Sequence, residues 1–447
     1  MTRTLTNPAA LRAPMWRSRI AVSTGWTVLA FGGSQAIRIA SKLVLVALLA
    51  PEAFGLMALV TTVFVGLQQF SDIGLGPCIV QSPRGNESVF LRTAYTIQAL
   101  RGAALFVLGA ALAWPMAAFY GQPALMVLLP VTVVSCLITG FNSMGVWSLT
   151  REIRQGKIAR LRLTADFCGQ AVAIGWALWQ PTVWALVIGL LVQAVVFMAG
   201  SHWISERRTG FGWERSAART LIGFGSAIML STLTWFLAAH GERLILGKLI
   251  TITELGVVWV MAMLANLPST AITQVGTRVI LPTLSSARRQ GDDRLALQYR
   301  RFRLITAASA VGAAVVMIGV APWLAGRYLP EAYAAAAWML PIFGLRTVVQ
   351  INQSAGLQWL VSGALLRWGP AANSARLAVI LIGLPFAVAW GGLEAGVWVL
   401  GLSALPAYVV IASGVCRHRP AAVKLEVVGM GATAIAVALV WWIGGLW

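Results

Sequence analysis

Residues 43–70 read LVLVALLAPEAFGLMALVTTVFVGLQQF, two apolar runs with only Pro51-Glu52-Ala53 between them. With its flanking residues, each run reaches the length of about 20 mostly apolar residues that a helix needs to cross a bilayer. A connection this short makes the two helices antiparallel neighbours. The stretch therefore predicts a transmembrane helical hairpin.

The composition of the whole chain agrees with this hairpin. Of 447 residues, 58% are hydrophobic and 11% are charged, whereas a soluble domain carries roughly a quarter charged residues. A soluble globular protein and a disordered chain are both excluded. The four cysteines have no spacing typical of a metal site or a disulfide framework, and we interpret them as small apolar residues. They are Cys78, Cys136, Cys168 and Cys416.

Apolar runs of similar length recur along the sequence and predict an all-α integral membrane protein with thirteen transmembrane helices. The predicted spans are 20–49, 54–79, 93–119, 125–148, 163–179, 182–204, 220–249, 255–281, 304–326, 333–360, 371–391, 394–414 and 425–446. Further short connections lie at 120–123, 180–181 and 390–393. These connections predict more antiparallel hairpins.

The distribution of basic residues predicts the orientation. The chain has 34 Lys and Arg against 14 Asp and Glu, a net charge of +20. Of the basic residues, 25 fall on one side of the predicted spans, two (Lys248 and Arg327) on the other, and seven within spans. Because Lys and Arg collect in cytoplasmic loops, we expect residues 1–19 to form a cytoplasmic tail rather than a signal peptide, and Trp447 to lie outside. Nucleic acid is not needed to explain the charge.

An internal repeat predicts two halves. A shift of 201 residues places Lys42-Leu43 on Arg243-Leu244 and Gly55 on Gly256. We expect two six-helix bundles, 20–204 and 220–414, joined by a cytoplasmic linker at 205–219. A pseudo-two-fold axis along the membrane normal would relate them around a central cleft, as in transporters built from parallel repeats. Residues 415–447 would add one peripheral transmembrane helix.

Three stretches resemble a known family: 48–56 (LLAPEAFGL), 70–76 (FSDIGLG) and 278–285 (RVILPTLS). They are similar to the polysaccharide transporters, the oligosaccharide flippases of the multidrug, oligosaccharidyl-lipid and polysaccharide exporter superfamily. The resemblance implies a flippase, not an enzyme, that moves undecaprenyl-pyrophosphate-linked oligosaccharides across the bacterial inner membrane for O-antigen or exopolysaccharide synthesis. Membrane lipids, a polysaccharide polymerase and other assembly proteins are the implied partners. Relatives usually have twelve or fourteen spans, so the C-terminal topology stays open between twelve, thirteen and fourteen.

Basic residues within the spans are the candidates for binding an anionic head group. Charges inside a membrane are costly and usually face a cleft or a partner. Arg38, Lys42 and Arg243 lie in the first helix of each predicted half, and Arg278 and Arg346 are further candidates. Long basic side chains also extend to the membrane surface, an alternative that we favour for Arg101 and Arg376. Trp235 and Trp259 are candidates for stacking a sugar.

No cofactor is expected, but transport is expected to use a proton or sodium gradient. The candidate coupling residues are Asp72, Asp166, Glu242 and His240. Asp72 fits equally well as a turn residue, Asp166 as an acid solvated at the interface, and His240 as a hydrogen-bonded interior side chain.

Two other functions remain as alternatives. A multidrug extruder of the same superfamily would need carboxylates for organic cations, whereas the charges within these spans are mostly basic. A polysaccharide polymerase would need a large outer loop or catalytic acids, and the outer connections are short. A nucleotide-driven pump is excluded within this chain because the sequence has no G-x-x-x-x-G-K-[ST] motif.

Overall fold

The computed structural model describes residues 32–438 except 34, 36, 73, 153, 206–209, 420–425, 428, 432, 436 and 437, and leaves the side chains of 224–235 and 278 undescribed. All regular secondary structure in the described residues is helical. This confirms the prediction of an all-α protein.

The helices are numbered in chain order, beginning with α1 at 37–48. Those that follow are α2 Pro51–Phe70, α3 Leu75–Gln81, α4 Ser88–Tyr120, α5 Leu125–Gly140, α6 Gly145–Arg151, α7 Gln155–Trp179, α8 Trp184–Ile204, α9 Arg215–Leu249, α10 Ile252–Ala265, α11 Leu267–Val275, α12 Leu281–Gln290, α13 Asp292–Val315, α14 Ala321–Tyr328, α15 Glu331–Ala334, α16 Met339–Ser362, α17 Trp368–Ala378, α18 Leu384–Leu402 and α19 Ala404–His418. Further helical residues lie between 426 and 438.

Five stretches of the described chain are long and apolar enough to cross a membrane: Pro51–Gln81, Ser88–Tyr120, Trp184–Ile204, Asp292–Tyr328 and Trp368–His418. Two bent pairs, α5 with α6 (60°) and α10 with α11 (43°), raise the number to seven if each pair is one span. The helices are thus of the membrane-spanning type, and the count of thirteen stays a prediction.

The chain divides into two compact units. Unit 1 comprises Met1–Leu49 and Val63–Met229, and unit 2 comprises Ala50–Thr62 and Leu230–Trp447. The bundle limits expected from the sequence stay predictions.

Unit 1 contains two helical hairpins, α4–α5 and α7–α8. The first turns at Gly121, whose φ of 64° is readily adopted by glycine. Its two helices approach closely at Gly102 and Gly140, where an added Cβ on Gly102 would lie 2.7 Å from the Cys136 carbonyl oxygen. Small residues at such crossings let membrane helices pack backbone to backbone. The structure confirms the predicted tight connections at 120–123 and 180–181.

Unit 2 is built around α16, which is buried over most of its length. Helices α10 to α13, α18 and α19 all pack against it. Its C-terminal half contributes Ala355, Trp359 and Leu360 to an apolar core with Tyr299 and Ile411. Side chains on α16 are therefore shielded by protein on several sides, so any charge there needs a partner within the unit.

The first turns of α2 and α10, both in unit 2, make a reciprocal contact. An added Cβ on Gly55 would overlap the Ile252 carbonyl oxygen, and one on Gly256 would overlap the Pro51 carbonyl oxygen. Helix α2 begins at Pro51 itself, so the expected connecting residues form its first turn instead. Proline is favoured there because the missing N–H would have no helical partner.

Three π-helical turns interrupt the helices of unit 2 within the described residues: Gly276–Ile280, Val316–Val320 and Val379–Gly383. Each is followed directly by an X-Pro pair, with the prolines at Pro282, Pro322 and Pro385. Proline lacks the N–H of a helical hydrogen bond and its ring crowds the preceding turn. A widened turn before each proline fits this constraint.

Candidate functional site

Three charged side chains of unit 2 form what we call the arginine cluster: Glu242 on α9, Arg346 on α16 and Arg376 on α17. Arg346 Nη1 donates to Glu242 Oε2 at 2.7 Å, and Arg376 Nη2 lies 3.5 Å from the same oxygen. The side chains of Glu242, Arg346 and Arg376 are only 8%, 5% and 13% exposed. Two guanidinium groups therefore share one oxygen of one carboxylate.

The arginine cluster has more donors than its carboxylate fills. Arg346 Nε, Arg376 Nε and Arg376 Nη2 are buried and have no hydrogen-bond partner. A buried donor without a partner costs about 1–3 kcal/mol, and more when it is charged. The three charges sum to +1. Unfilled guanidinium donors with surplus positive charge are suited to binding a further anion, since arginine forks match phosphate and carboxylate groups.

Arg243, next to Glu242 on α9, faces an aromatic ring. Its guanidinium carbon lies 5.5 Å from the centroid of the Trp259 ring, and its Nη1 lies 3.4 Å from Nδ1 of His240. Phe54 packs on the same tryptophan with a centroid distance of 6.0 Å. Trp259 itself is half-buried. The side chain of Trp235 lies outside the described part of the chain.

Arg38 and Asp166 form an ion pair in unit 1. Arg38 Nη2 donates to Asp166 Oδ1 at 2.8 Å, and Gln193 Nε2 donates to the same oxygen. The Asp166 side chain is 1% exposed and that of Arg38 is 42% exposed. Asp166 is thus buried and paired rather than solvated at an interface, and the charge of Arg38 is balanced within the unit.

The remaining predicted residues lie elsewhere. Asp72 follows α2 and accepts a hydrogen bond from the Gly74 N–H at 3.0 Å, which fits the turn interpretation. Lys42 is exposed on α1. Arg278 lies in the first π turn, and its side chain is outside the described residues. Arg101 donates to Ser71 Oγ and the Gln68 carbonyl oxygen at the end of α2.

A second buried charge network in unit 2 was not predicted. Arg303, one of the 25 basic residues expected on the cytoplasmic side, is 2% exposed and lies 3.3 Å from Glu426. Tyr408 accepts from Arg303 Nη2 at 2.6 Å, and Tyr299 donates to Glu426. Asn352 accepts from Arg303 through its backbone and side-chain oxygens. Glu426 belongs to the segment expected to be peripheral, yet it is buried.

The periodicity of α13 is the signal that would have placed Arg303. Its buried residues Leu295, Tyr299, Phe302, Thr306 and Ala310 follow helical spacing, and Arg303 lies on the same face. Arg376 was also expected at the membrane surface, and the structure pairs it with Glu242 instead. A hydropathy pattern gives the depth of a residue but not the partner on a neighbouring helix.

The chain is similar in sequence to a curated transport protein. The chain is 23% identical over 265 residues to the succinoglycan biosynthesis transport protein ExoT of Rhizobium meliloti, a match that covers 58% of this chain and 53% of that protein. The chain thus spans about half the length of this curated relative.

Solved structures with the same fold are membrane transporters. The lipid II flippase MurJ in an inward closed conformation superposes with a TM-score of 0.71, at 9% identity, over 94% of this chain and 97% of that chain. An inward-facing multidrug resistance MATE family transporter of the MOP superfamily gives 0.66, at 15% identity, over 90% and 99%. At these identities the likeness concerns the fold. Residues 44–337 match the family of polysaccharide biosynthesis proteins, and the chain belongs to that family.

Proposed function

We propose that this chain is a flippase, not an enzyme, that moves an anionic lipid-linked oligosaccharide across the bacterial inner membrane for polysaccharide synthesis. The observation that carries the proposal is the surplus of unfilled guanidinium donors at Arg346 and Arg376. A family of polysaccharide biosynthesis proteins and a fold shared with transporters support the same substrate class. Undecaprenyl pyrophosphate carrying an oligosaccharide, as an O-antigen or exopolysaccharide precursor, has an anionic group that fits these donors.

In the proposed mechanism the diphosphate of the head group binds the arginine cluster while the prenyl tail stays in the lipid. Arg243 and Trp259 lie on neighbouring helices of the same unit and would hold the first sugar, with the indole ring stacking on it. Lys42 and Arg278 remain further candidates for binding the head group, whereas the charge of Arg38 is already balanced by Asp166. Rocking of two bundles would then expose the head group on the outer side.

A membrane transporter without a nucleotide site needs another source of energy. We propose that a proton or sodium gradient drives the cycle, with Asp166 and Glu242 as the foremost coupling candidates because both are buried carboxylates paired with arginines. Asp72 and His240 remain further candidates. A polymerase and other assembly proteins would receive the flipped unit. An extruder of organic cations is disfavoured because the arginine cluster has surplus positive charge.

The test uses the bacterium that carries the gene, deleted and complemented with variants. We expect the deletion to remove surface polymer and to accumulate complete lipid-linked units facing the cytoplasm. Arg346→Gln and Arg376→Gln should fail to restore export, while Arg301→Gln, at an exposed position of α13, should restore it. Arg346→Lys tests whether charge alone suffices. Normal export with folded Arg346→Gln and Arg376→Gln proteins would refute the binding site, and unchanged polymer in the deletion strain would refute the substrate.

A further inference from the structure

We infer that Glu242 competes with the substrate's anionic group for Arg346 and Arg376, so that head-group binding is coupled to uptake of one proton by Glu242. This inference rests on the proposed function, because it assigns a second role within the same site. In this inference the Glu242 carboxylate pairs with the two arginines until the anionic group of the substrate replaces it.

The geometry carries the first step. Glu242 uses a single oxygen, Oε2, for both Arg346 Nη1 and Arg376 Nη2. The longer contact, at 3.5 Å, leaves Arg376 Nη2 without a hydrogen bond. A diphosphate oxygen that filled the free Nε groups would lie against the guanidinium groups that Glu242 already contacts. Two anions at this distance repel each other strongly in a protein interior.

The energetic step follows from burial. Glu242 is buried, with 6% of the whole residue exposed. A charged carboxylate displaced from its arginines would therefore lose its pairing without gaining water. Leaving one partner of a buried ion pair without its counter-charge is strongly unfavourable. Binding one proton neutralises the carboxylate and removes this cost. The balance is simple: one proton from water converts the carboxylate to the acid, and the substrate anion replaces its negative charge in the cluster.

The other charged and titratable groups described around Glu242 come from three helices. Among the described residues, Arg346 comes from α16, Arg376 from α17, and Arg243 and His240 from the same helix α9. His240 is the second titratable group, and its protonation would also strengthen anion binding. The test therefore includes a variant of His240.

The experiment uses the purified full chain in detergent, with farnesyl diphosphate as the probe and farnesol as the uncharged control. Affinity is measured between pH 6.5 and 8.5 for the wild type, Glu242→Gln and His240→Asn, and proton uptake is recorded in weak buffer. Glu242 binds one proton when the anion binds. Wild-type affinity should therefore fall by up to about tenfold for each unit rise in pH, the slope of a one-proton linkage.

Glu242→Gln keeps the shape of the side chain but has no charge to compete. We expect it to bind the probe at least about tenfold more tightly than the wild type at pH 8, with neither proton uptake nor the wild-type slope. Equal affinity and equal slope in the two proteins would overturn the inference and leave the proposed function standing. Loss of the slope in His240→Asn instead would also overturn it. If none of the folded proteins binds the probe, the proposed anion site itself fails.

Discussion

Thr253 donates a hydrogen bond from its Oγ1 to Glu52 Oε1 at 2.7 Å, across 201 residues of chain. The same offset relates Pro51 to Ile252 and Gly55 to Gly256, whose backbones approach each other reciprocally. Gly55 thus approaches Ile252, and Gly256, which is 201 residues after Gly55, makes the equivalent approach to Pro51. Such an exchange fits a local two-fold relation between these two helix turns, while the symmetry of two whole bundles stays a prediction.

Gly256→Ala tests this contact. The new Cβ would overlap the Pro51 carbonyl oxygen, and overpacking of this kind costs about 1–3 kcal/mol. We expect a lower melting temperature for the purified protein. Gly312→Ala on α13 is the matched control because its Cβ would meet no atom within 4 Å. Equal melting temperatures of the two variants would contradict the close approach.

Loss of Glu426 should destabilise unit 2. Glu426→Ala would leave Arg303 buried at 2% exposure without its carboxylate, which costs about 3–5 kcal/mol. Glu426→Gln should cost less, because the amide oxygen still accepts from Arg303. Thr433→Val keeps the ion pair and removes two neutral hydrogen bonds, the one accepted from Asn352 and the one donated to the Gly429 carbonyl oxygen, and should cost about 1–2 kcal/mol. Thermal unfolding of the three variants would show this ranking, and an unchanged Glu426→Ala protein would disprove it.

Arg101 is expected to act on structure rather than on substrate. Its guanidinium binds Ser71 and the Gln68 carbonyl oxygen at the end of α2, where helix carbonyls lack partners. Arg101→Met should therefore lower the melting temperature while leaving the affinity for farnesyl diphosphate unchanged. A selective loss of affinity, with stability retained, would move Arg101 into the binding site.

The ion pair between Arg84 and Glu214 should be lost at acid pH. Arg84 Nη2 lies 2.7 Å from Glu214 Oε2, and hydrogen bonding by this guanidinium lowers the pKa of the Glu214 carboxyl. Because the carboxyl pKa is lower in the folded protein, the ion pair stabilises the fold at pH values above the ordinary carboxyl pKa near 4. This stabilisation is lost as the pH falls through the lowered pKa.

Hydrogen exchange checks this contact. The Gly212 and Glu214 N–H groups donate to Thr96 and Thr93, so their protection reports on the linker. We expect constant protection between pH 7 and 5 and a loss once the pH falls below the ordinary carboxyl range. Glu214→Gln should weaken protection between pH 7 and 5, where Glu214 is charged in the wild type. Protection that stays unchanged in that variant would show that the ion pair does not hold the linker.

Much of the fold followed from the sequence because composition and hydropathy report directly on the solvent. The all-α class and the tight turns at Gly121 and Gln180 were predicted from apolar runs and from the short connections between them. The bends were not: α5 and α6 form one predicted span at 125–148 but meet at 60°. An apolar run gives the length of a span and not its straightness.

The candidate site was predicted only in part. Arg346, Glu242 and Arg243 were identified as charges within spans, but their partners come from other helices. Arg346 pairs with Glu242 from 104 residues away, and Arg38 with Asp166 from 128 residues away. Pairings at such separations depend on which helix faces pack together, and a single sequence does not encode this in its local pattern.

The π turns before Pro282, Pro322 and Pro385 also affect how this chain can be compared with others. A π turn holds one residue more than the α turn it replaces, and one residue corresponds to a rotation of about 100° around a helix. Every side chain beyond such a turn is therefore out of phase with an uninterrupted helix. Two homologues that differ at one of these turns would align correctly only with a single-residue gap, and a chimera joined without that gap would point its next helix face the wrong way.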